Sequence, residues 1–201
     1  MTRIKLCGLS RPWDIEAANR LKPEYIGFVF AKKSRRYVTP ERAEELKRLL
    51  APGIKAVGVF VNEMPETAAG LLNSGVIDIA QLHGDEDEDY INRLRLIADK
   101  PIIKAFRIRT AGDILYAEQS TADYILFDSG AGTGTVFDWK LIRDVKRPYF
   151  LAGGLLPDNV ENAVNSLRPY AVDVSSGIET DGAKDETKMA AFVAAVRKRG
   201  K

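Results

Sequence analysis

The sequence predicts an α/β fold of one kind, a (β/α)8 or TIM barrel of eight parallel strands. Short apolar runs rich in β-branched and aromatic residues alternate with longer amphipathic stretches, which is the pattern of βα units. There are eight such runs, so 201 residues leave about 25 residues per unit, enough for a strand, a helix and two short connections. The predicted strands are Arg3–Cys7, Tyr25–Phe30, Lys55–Val61, Ile77–Leu82, Pro101–Arg107, Asp123–Asp128, Pro148–Ala152 and Ala171–Val174.

A third observation disfavours the main competing architecture, an open doubly wound sheet. Such a sheet normally carries a G-x-G-x-x-G turn after its first strand, where this chain has Cys7-Gly8-Leu9-Ser10. The glycine-rich segment from Gly130 to Gly134 follows the sixth run, but no Gly-Lys-Ser/Thr closes it, so it is not a P-loop either. A closed barrel without a nucleotide site is therefore favoured.

Helix start signals occupy the gaps between the runs, so we expect a helix in every gap. The acidic run Asp85–Asp89 would begin one of them, because negative charge complements a helix N-terminus; a metal site is the alternative for such a run. Four prolines stand where a first-turn proline fits and two polar residues are candidate N-caps. They are Pro12, Pro40, Pro65 and Pro157, with Thr39 and Asn62.

Composition limits the class of protein. We expect one domain spanning residues 1–201, since this length suits a single core. No apolar run approaches the roughly 20 residues of a membrane-spanning helix, and the net charge of +2 comes from basic residues spread along the chain, so neither a membrane nor a nucleic-acid partner is expected. Cys7 and His83, the only cysteine and histidine, cannot supply a zinc cluster. The single cysteine, with no charged-then-apolar leader, predicts a cytoplasmic protein.

In an eightfold barrel the chemistry gathers at the C-terminal ends of the strands. Glycines follow the seventh run and a Ser-Gly pair follows the eighth, where such barrels bind phosphate through backbone N–H groups. Tight turns are the alternative explanation for the two glycines. The predicted phosphate site comprises Gly153, Gly154, Ser176 and Gly177.

Four other strand-end residues are polar or reactive: Cys7, His83, Arg107 and Asp128. Cys7 and Asp128 would bring a thiol and a carboxyl to one rim, as a base and an acid. The alternatives are a small buried cysteine, an aspartate that caps a helix, and a rim histidine whose nitrogens are satisfied by hydrogen bonds.

Residues two apart on a strand face the same way, so Lys5 shares the face of Cys7. The eighth strand closes against the first, and a lone charge inside the barrel would be costly. We therefore expect Lys5 to form a buried pair with Asp173 near Cys7, and we expect this pair to favour the thiolate.

With these residues in view, the chain resembles the phosphoribosylanthranilate isomerases of tryptophan biosynthesis along nearly its whole length. The similarity rests on several segments in order. They are Lys5–Leu9, Tyr25–Phe30 with Lys33–Val38, Val57–Asn62, Gln81–Asp85, Gly132–Gly134 with Phe137–Trp139, Leu151–Leu155 and Val172–Glu179.

The resemblance implies a cofactor-free and metal-free Amadori rearrangement of N-(5-phosphoribosyl)anthranilate to 1-(2-carboxyphenylamino)-1-deoxyribulose 5-phosphate. By position in the family's motifs, Asp128 is the general acid and Cys7 the general base. Arg36 matches the arginine that holds the anthranilate carboxylate, with Arg35 beside it as the competing candidate. Phosphate would be bound by the backbone of the predicted phosphate site. Ala131 and the pair Thr135-Val136 depart from the family pattern, which affects only the loop after the sixth strand.

The sequence argues against two other phosphate-binding barrels. A ribulose-phosphate epimerase needs several histidines for its metal, whereas this chain has one. The histidine-pathway isomerase resembles a longer chain with paired aspartates, whereas the first strand here ends in Cys7. Two alternatives remain. The protein could act on the substrates of both the tryptophan and the histidine pathway, or it could be a barrel that binds a phosphosugar without catalysis. A monomer and a homodimer are both compatible with the sequence.

Overall fold

The computed structural model describes residues 1–128 and 139–198. Eight parallel strands close into a barrel in chain order, which confirms the predicted fold class. The strands are β1 (Arg3–Cys7), β2 (Tyr25–Val29), β3 (Lys55–Phe60), β4 (Ile79–Leu82), β5 (Ile102–Arg107), β6 (Tyr124–Asp128), β7 (Tyr149–Leu151) and β8 (Ala171–Val174).

The strands begin or end up to two residues inside the predicted bounds. Pro101 and Pro148 precede β5 and β7, because proline has no N–H to donate to a neighbouring strand. The ring closes where β1 pairs with β8, and the register there sets Lys5 opposite Asp173.

Helices fill the gaps, and three of the four prolines begin one. Thr39 caps its helix as predicted, since its hydroxyl accepts from the N–H of Arg42 at 3.2 Å. In the described part of the gap between β6 and β7 the helical element is a short 3₁₀ turn, Trp139–Ile142. The α-helices are α1 (Pro12–Leu21), α2 (Pro40–Leu49), α3 (Pro65–Asn73), α4 (Glu88–Ile97), α5 (Ala111–Glu118), α6 (Val160–Leu167) and α7 (Glu186–Arg197).

Two predicted helix starts are wrong. Pro157 lies in a turn before α6, whose first residue is Val160. Asn62 does not cap α3; its backbone is left-handed, with φ at 52°, and its side chain binds the Asp85 backbone and carboxylate.

The acidic run Asp85–Asp89 was expected to begin a helix, but its first three residues precede that helix. Helix α4 starts at Glu88, and Asp87 caps it by accepting from the N–H of Tyr90 at 2.9 Å. Glu86 instead turns inward to bind the N–H groups of Asn62 and Gly84, so the first part of the run fixes a loop.

Side chains alternate along the strands between the barrel interior and the layer that faces the helices. At its N-terminal end the interior is apolar and aromatic, with Tyr25, Val57, Ile103, Leu126 and Phe150 packed in one cluster. Toward the C-terminal ends the inward positions become polar or reactive. This change places the site at the C-terminal mouth, where eightfold barrels carry their chemistry.

A small addition to the barrel was not predicted from the sequence. After β8 the chain makes a 3₁₀ turn, Ser176–Ile178, and then an antiparallel hairpin of β9 (Glu179–Thr180) and β10 (Ala183–Lys184). This hairpin brings two charged side chains back toward the mouth of the barrel. None of the described helices is long and apolar enough to cross a membrane.

Candidate active site

A cavity of about 540 Å³ opens at the C-terminal mouth of the barrel. It gathers the predicted site residues from six different strand ends and loops. Lys5 lies below it, fully buried. The predicted residues in its wall are Cys7, Arg36, His83, Asp128, Gly153, Gly154, Asp173, Ser176 and Gly177.

Cys7 ends β1 and is buried, with 8% of its surface exposed. Burial raises the pKa of the thiol above its ordinary value, while the neighbouring charge of Lys5 acts in the opposite direction. Within the predicted pair Lys5 favours the thiolate, as expected, and Asp173 opposes it less strongly. The net shift is nevertheless upward, because the cost of desolvating the anion exceeds the attraction to the ammonium.

The predicted pair of Lys5 and Asp173 is confirmed. Nζ of Lys5 lies 2.9 Å from Oδ2 of Asp173, and the lysine is 0% exposed. Burial alone would lower the pKa of Lys5, but its interactions with Asp173 and Cys7 outweigh burial and raise it. The lysine is therefore a fixed positive charge directly beneath the thiol.

Asp128 and His83 meet across the cavity from the thiol. Nε2 of His83 lies 3.2 Å from Oδ2 of Asp128, and Nδ1 lies 2.8 Å from Nε2 of Gln81. With the amide nitrogen of Gln81 as the donor to Nδ1, the ring proton is on Nε2 and is donated to Asp128. Both ring nitrogens are satisfied, as expected for a rim histidine, and one of them reaches the predicted acid.

Gln81 is a cavity residue that the sequence analysis missed. It is 1% exposed and faces inward on β4, two residues before His83. Its polarity at an inward position of an apolar strand was the available signal. Within the described residues, its Oε1 and Oδ1 of Asp173 are buried acceptors without a hydrogen-bond partner.

Arg36 is bound to a carboxylate from the unpredicted hairpin. Its Nε and Nη2 donate to Oε1 and Oε2 of Glu179 at 2.6 and 2.8 Å. Arg35 donates to the same carboxylate at 2.8 Å, and Nζ of Lys184 lies 2.6 Å from Oε1. Although burial acts to raise the pKa of Glu179, the bonds from Arg36 and Lys184 lower it to about 2.

Neither Glu179 nor Lys184 was predicted as a site residue. Glu179 closes one of the segments of family resemblance, but nothing in the sequence assigns it a partner. Lys184 reaches the site only because the hairpin folds back, and its Nζ also donates to the carbonyl of Ser175 at 2.9 Å. A two-residue strand pair of this kind leaves no periodic signal in the sequence.

The loops after β7 and β8 touch at the predicted phosphate site. Gly153 and Gly154 both have positive φ, at 84° and 65°, a backbone that glycine adopts without strain. A Cβ on Gly177 would lie 2.0 Å from the carbonyl oxygen of Leu155, so only glycine permits the two loops to approach this closely. Asn159 fixes the first loop by donating to the carbonyl of Gly154 at 2.9 Å.

Arg107 lies apart from this group. It lines a neighbouring cavity of about 590 Å³, which shares His83 and Asp128 with the first. There Nζ of Lys104 donates to the carbonyl of Gly84 at 2.7 Å and pairs with Glu86 at 3.1 Å. This buried pair holds the loop that begins with His83.

The residues noted in the loop after the sixth strand lie outside the described part of the chain. They are Gly130, Ala131, Gly132, Thr133, Gly134, Thr135, Val136, Phe137 and Asp138.

A closed eightfold barrel with a thiol, a carboxyl and two glycine-containing loops around one mouth belongs to the class of barrel enzymes that act on small anionic substrates. The model of the N-(5'-phosphoribosyl)anthranilate isomerase family matches residues 4–195. The chain belongs to this family.

Individual relatives agree with the family model. The N-(5'-phosphoribosyl)anthranilate isomerase of Endomicrobium trichonymphae is 43% identical to this chain, and the alignment covers 98% of this chain and 99% of the relative. The enzyme of Thermoanaerobacter pseudethanolicus is 44% identical, with 98% of each chain covered. The crystal structure of the Thermus thermophilus enzyme superposes with a TM-score of 0.87 at 34% identity, covering 97% of this chain and 98% of that one. A phosphoribosylanthranilate isomerase in complex with reduced 1-(o-carboxyphenylamino)-1-deoxyribulose 5-phosphate has a TM-score of 0.85 at 35% identity, covering 98% and 99%.

Proposed function

We propose that this protein converts N-(5-phosphoribosyl)anthranilate to 1-(2-carboxyphenylamino)-1-deoxyribulose 5-phosphate in tryptophan biosynthesis, with Asp128 as the general acid and Cys7 as the general base. The observation that carries the proposal is a cavity whose wall contains Cys7, Asp128, Arg36 and both glycine-containing loops. Membership of the isomerase family supplies the substrate.

The reaction needs an acid at the sugar ring oxygen and a base at C2. To act as the acid, Asp128 must begin protonated on the oxygen that does not accept from His83. It gives this proton to the ring oxygen as the bond from that oxygen to C1 breaks, and the amine lone pair forms the protonated Schiff base. Cys7 as thiolate then takes the proton from C2; the electron pair of the C2–H bond forms the C1=C2 double bond and the C=N π pair moves to the nitrogen, giving an enolamine. C1 then gains one proton and the C2 hydroxyl loses one, which gives the ketone. Together these two transfers return the thiol to the thiolate and the carboxylate to the acid, so no proton or electron is gained overall.

The surroundings of Cys7 suit this second step. A raised pKa makes the thiolate a stronger base, while Lys5 stabilises the anion once it forms. The C2 proton is itself acidified by the iminium group, so a thiolate of modest basicity is sufficient without a metal or a cofactor.

Binding groups in the cavity match the anionic ends of the substrate. Arg36 would hold the anthranilate carboxylate and the backbone at Gly153, Gly154, Ser176 and Gly177 would hold the phosphate.

The test follows the decay of anthranilate-type fluorescence with substrate generated in place from anthranilate and phosphoribosyl pyrophosphate, in the presence of a chelator. We expect fast decay with the wild type and a loss of about 100-fold or more in kcat for Cys7→Ala and Asp128→Asn. Asp99→Asn changes an exposed aspartate in the connection before β5, at the end of the barrel opposite the C-terminal mouth, and should retain full activity.

Each alternative predicts a different result. No decay above the uncatalysed rate would favour a barrel that only binds phosphosugars, and turnover of the histidine-pathway substrate as well would identify a dual-substrate isomerase. Full activity of both catalytic variants would contradict the assigned roles.

The setting of the protein is proposed on similar grounds. We expect the cytoplasm, because a single cysteine without a disulfide partner in the chain is typical of a reducing compartment. We expect one domain over residues 1–201 and either a monomer or a homodimer, which sedimentation equilibrium distinguishes. One family member of known structure, from Thermotoga maritima, is described as dimeric.

A further inference from the structure

Glu179 is a buried carboxylate surrounded by more positive charge than it can neutralise. Its side chain is 4% exposed and is contacted by Arg35, Arg36 and Lys184. Three cations around one carboxylate leave an excess of positive charge at the edge of the cavity. A second carboxylate, supplied by a ligand, would complete the cluster.

The geometry fixes Arg36 from two sides. Glu179 takes its Nε and Nη2, so within the described residues Nη1 is the guanidinium nitrogen without a hydrogen-bond partner. The aliphatic stem lies over Gly8, where a Cβ would come within 2.5 Å of Cδ of Arg36. The guanidinium is therefore held in one orientation beside Cys7.

We propose that Glu179 is a positioning and specificity residue, which turns the free edge of Arg36 toward the cavity and thereby makes the site selective for an arylamine that carries a carboxylate. The inference rests on the proposed function, because Arg36 is assumed there to bind the substrate carboxylate. It extends that function by assigning a role to the hairpin of β9 and β10.

A rigid guanidinium binds better than a mobile one, since the entropy of ordering the long side chain is lost on folding and not on binding. Lys184 helps to hold Glu179 in the position from which it binds Arg36. It is 9% exposed, it pairs with Glu179 at 2.6 Å, and it anchors the carboxylate to the end of β8 through the carbonyl of Ser175.

The experiment measures binding by calorimetry with two ligands. One is reduced 1-(2-carboxyphenylamino)-1-deoxyribulose 5-phosphate, and the other is the same compound without the carboxyl group. The proteins are the wild type, Glu179→Gln and Lys184→Met. The matched control is Glu186→Gln. Glu186 is an exposed glutamate at the start of α7, and it pairs with Arg20 of α1. Circular dichroism and thermal unfolding establish that each variant is folded.

We expect Glu179→Gln to bind the carboxylated ligand about tenfold more weakly than the wild type and the other ligand within about twofold. Lys184→Met should show the same selective loss to a smaller degree, and it carries the test if the first variant does not fold. In kinetics, Glu179→Gln should raise KM more than it lowers kcat, since Glu179 does not touch the reacting atoms.

Equal losses for both ligands would overturn the inference and leave the proposed function intact, because Glu179 would then only support the hairpin. Tighter binding of the carboxylated ligand would also overturn it, since Glu179 would then be a competitor for Arg36. Failure of the wild type to bind either ligand would contradict the proposed function itself.

Discussion

The ammonium of Lys5 lies 2.9 Å from Oδ2 of Asp173, across the seam where β8 closes onto β1. One contact therefore joins the two ends of the barrel wall and places a positive charge beneath Cys7. Both groups are buried, so each depends on the other for its charge to be tolerated inside the barrel.

Lys5→Met should destabilise the protein by about 3–5 kcal/mol, because it leaves Asp173 buried without a counter-ion. Urea unfolding at neutral pH measures the loss. Arg20→Gln is the control: it breaks an exposed pair with Glu186 and should cost less than about 1 kcal/mol. Equal effects of the two changes would mean that the buried pair is no more important than a surface one.

Alkylation of Cys7 by iodoacetamide should require a higher pH than alkylation of a free thiol. Burial favours the neutral thiol, so the thiolate that reacts forms only as pH rises through the raised pKa. Neighbouring charges give opposite shifts: Lys5→Met should move the alkylation midpoint to higher pH, and Asp173→Asn should move it to lower pH. An alkylation midpoint at the same pH in the wild type, Lys5→Met and Asp173→Asn would contradict this electrostatic account.

Acid stability should depend on Glu179. The folded-state pKa of about 2 lies below the ordinary value of 4.5, so the stability contributed by the ionised carboxylate is complete above the unfolded pKa and is lost as pH falls toward 2. The loss over that window amounts to about 3 kcal/mol. In Glu179→Gln the free energy of unfolding should fall less steeply below about pH 4.5. Urea titrations at several acid pH values test this, with Glu186→Gln expected to behave as the wild type.

The barrel could be predicted because its signals are local and repeated. Each strand is an apolar run bounded by a turn, and Pro12, Pro40 and Pro65 begin helices in the way that their missing N–H allows. Pairing of Lys5 with Asp173 followed from strand order and side-chain alternation alone. Asn62 was misassigned because its side chain binds the next loop, at Asp85, instead of its own helix.

The site could be predicted where its residues lie in or next to a barrel strand, or match a segment of the family. Cys7 and Asp128 were found on that rule, whereas Glu179 and Lys184 depend on a short hairpin that has no hydrophobic period to reveal it. The net pKa of Cys7 could not be predicted from the sequence for a related reason. Sequence places a charge nearby, but the degree of burial that outweighs the charge is a property of the packed barrel.

Gly177→Ala should weaken phosphate binding with little effect on the chemical step. The new methyl group would meet the carbonyl oxygen of Leu155 at 2.0 Å, and since both are part of the backbone framework the loops after β7 and β8 must separate. We expect KM for the substrate and the inhibition constant of inorganic phosphate to rise together by about tenfold or more, while kcat falls less.

The matched control for that change is Gly70→Ala, in the middle of α3. No atom lies within 4 Å of the position that its Cβ would take, so the substitution adds a methyl group in open space. Alanine should stabilise the helix by about 0.5–1 kcal/mol and leave KM, kcat and phosphate inhibition unchanged. If Gly177→Ala behaved like this control, with phosphate inhibition intact, the glycine contacts between the two loops would have no part in holding the phosphate.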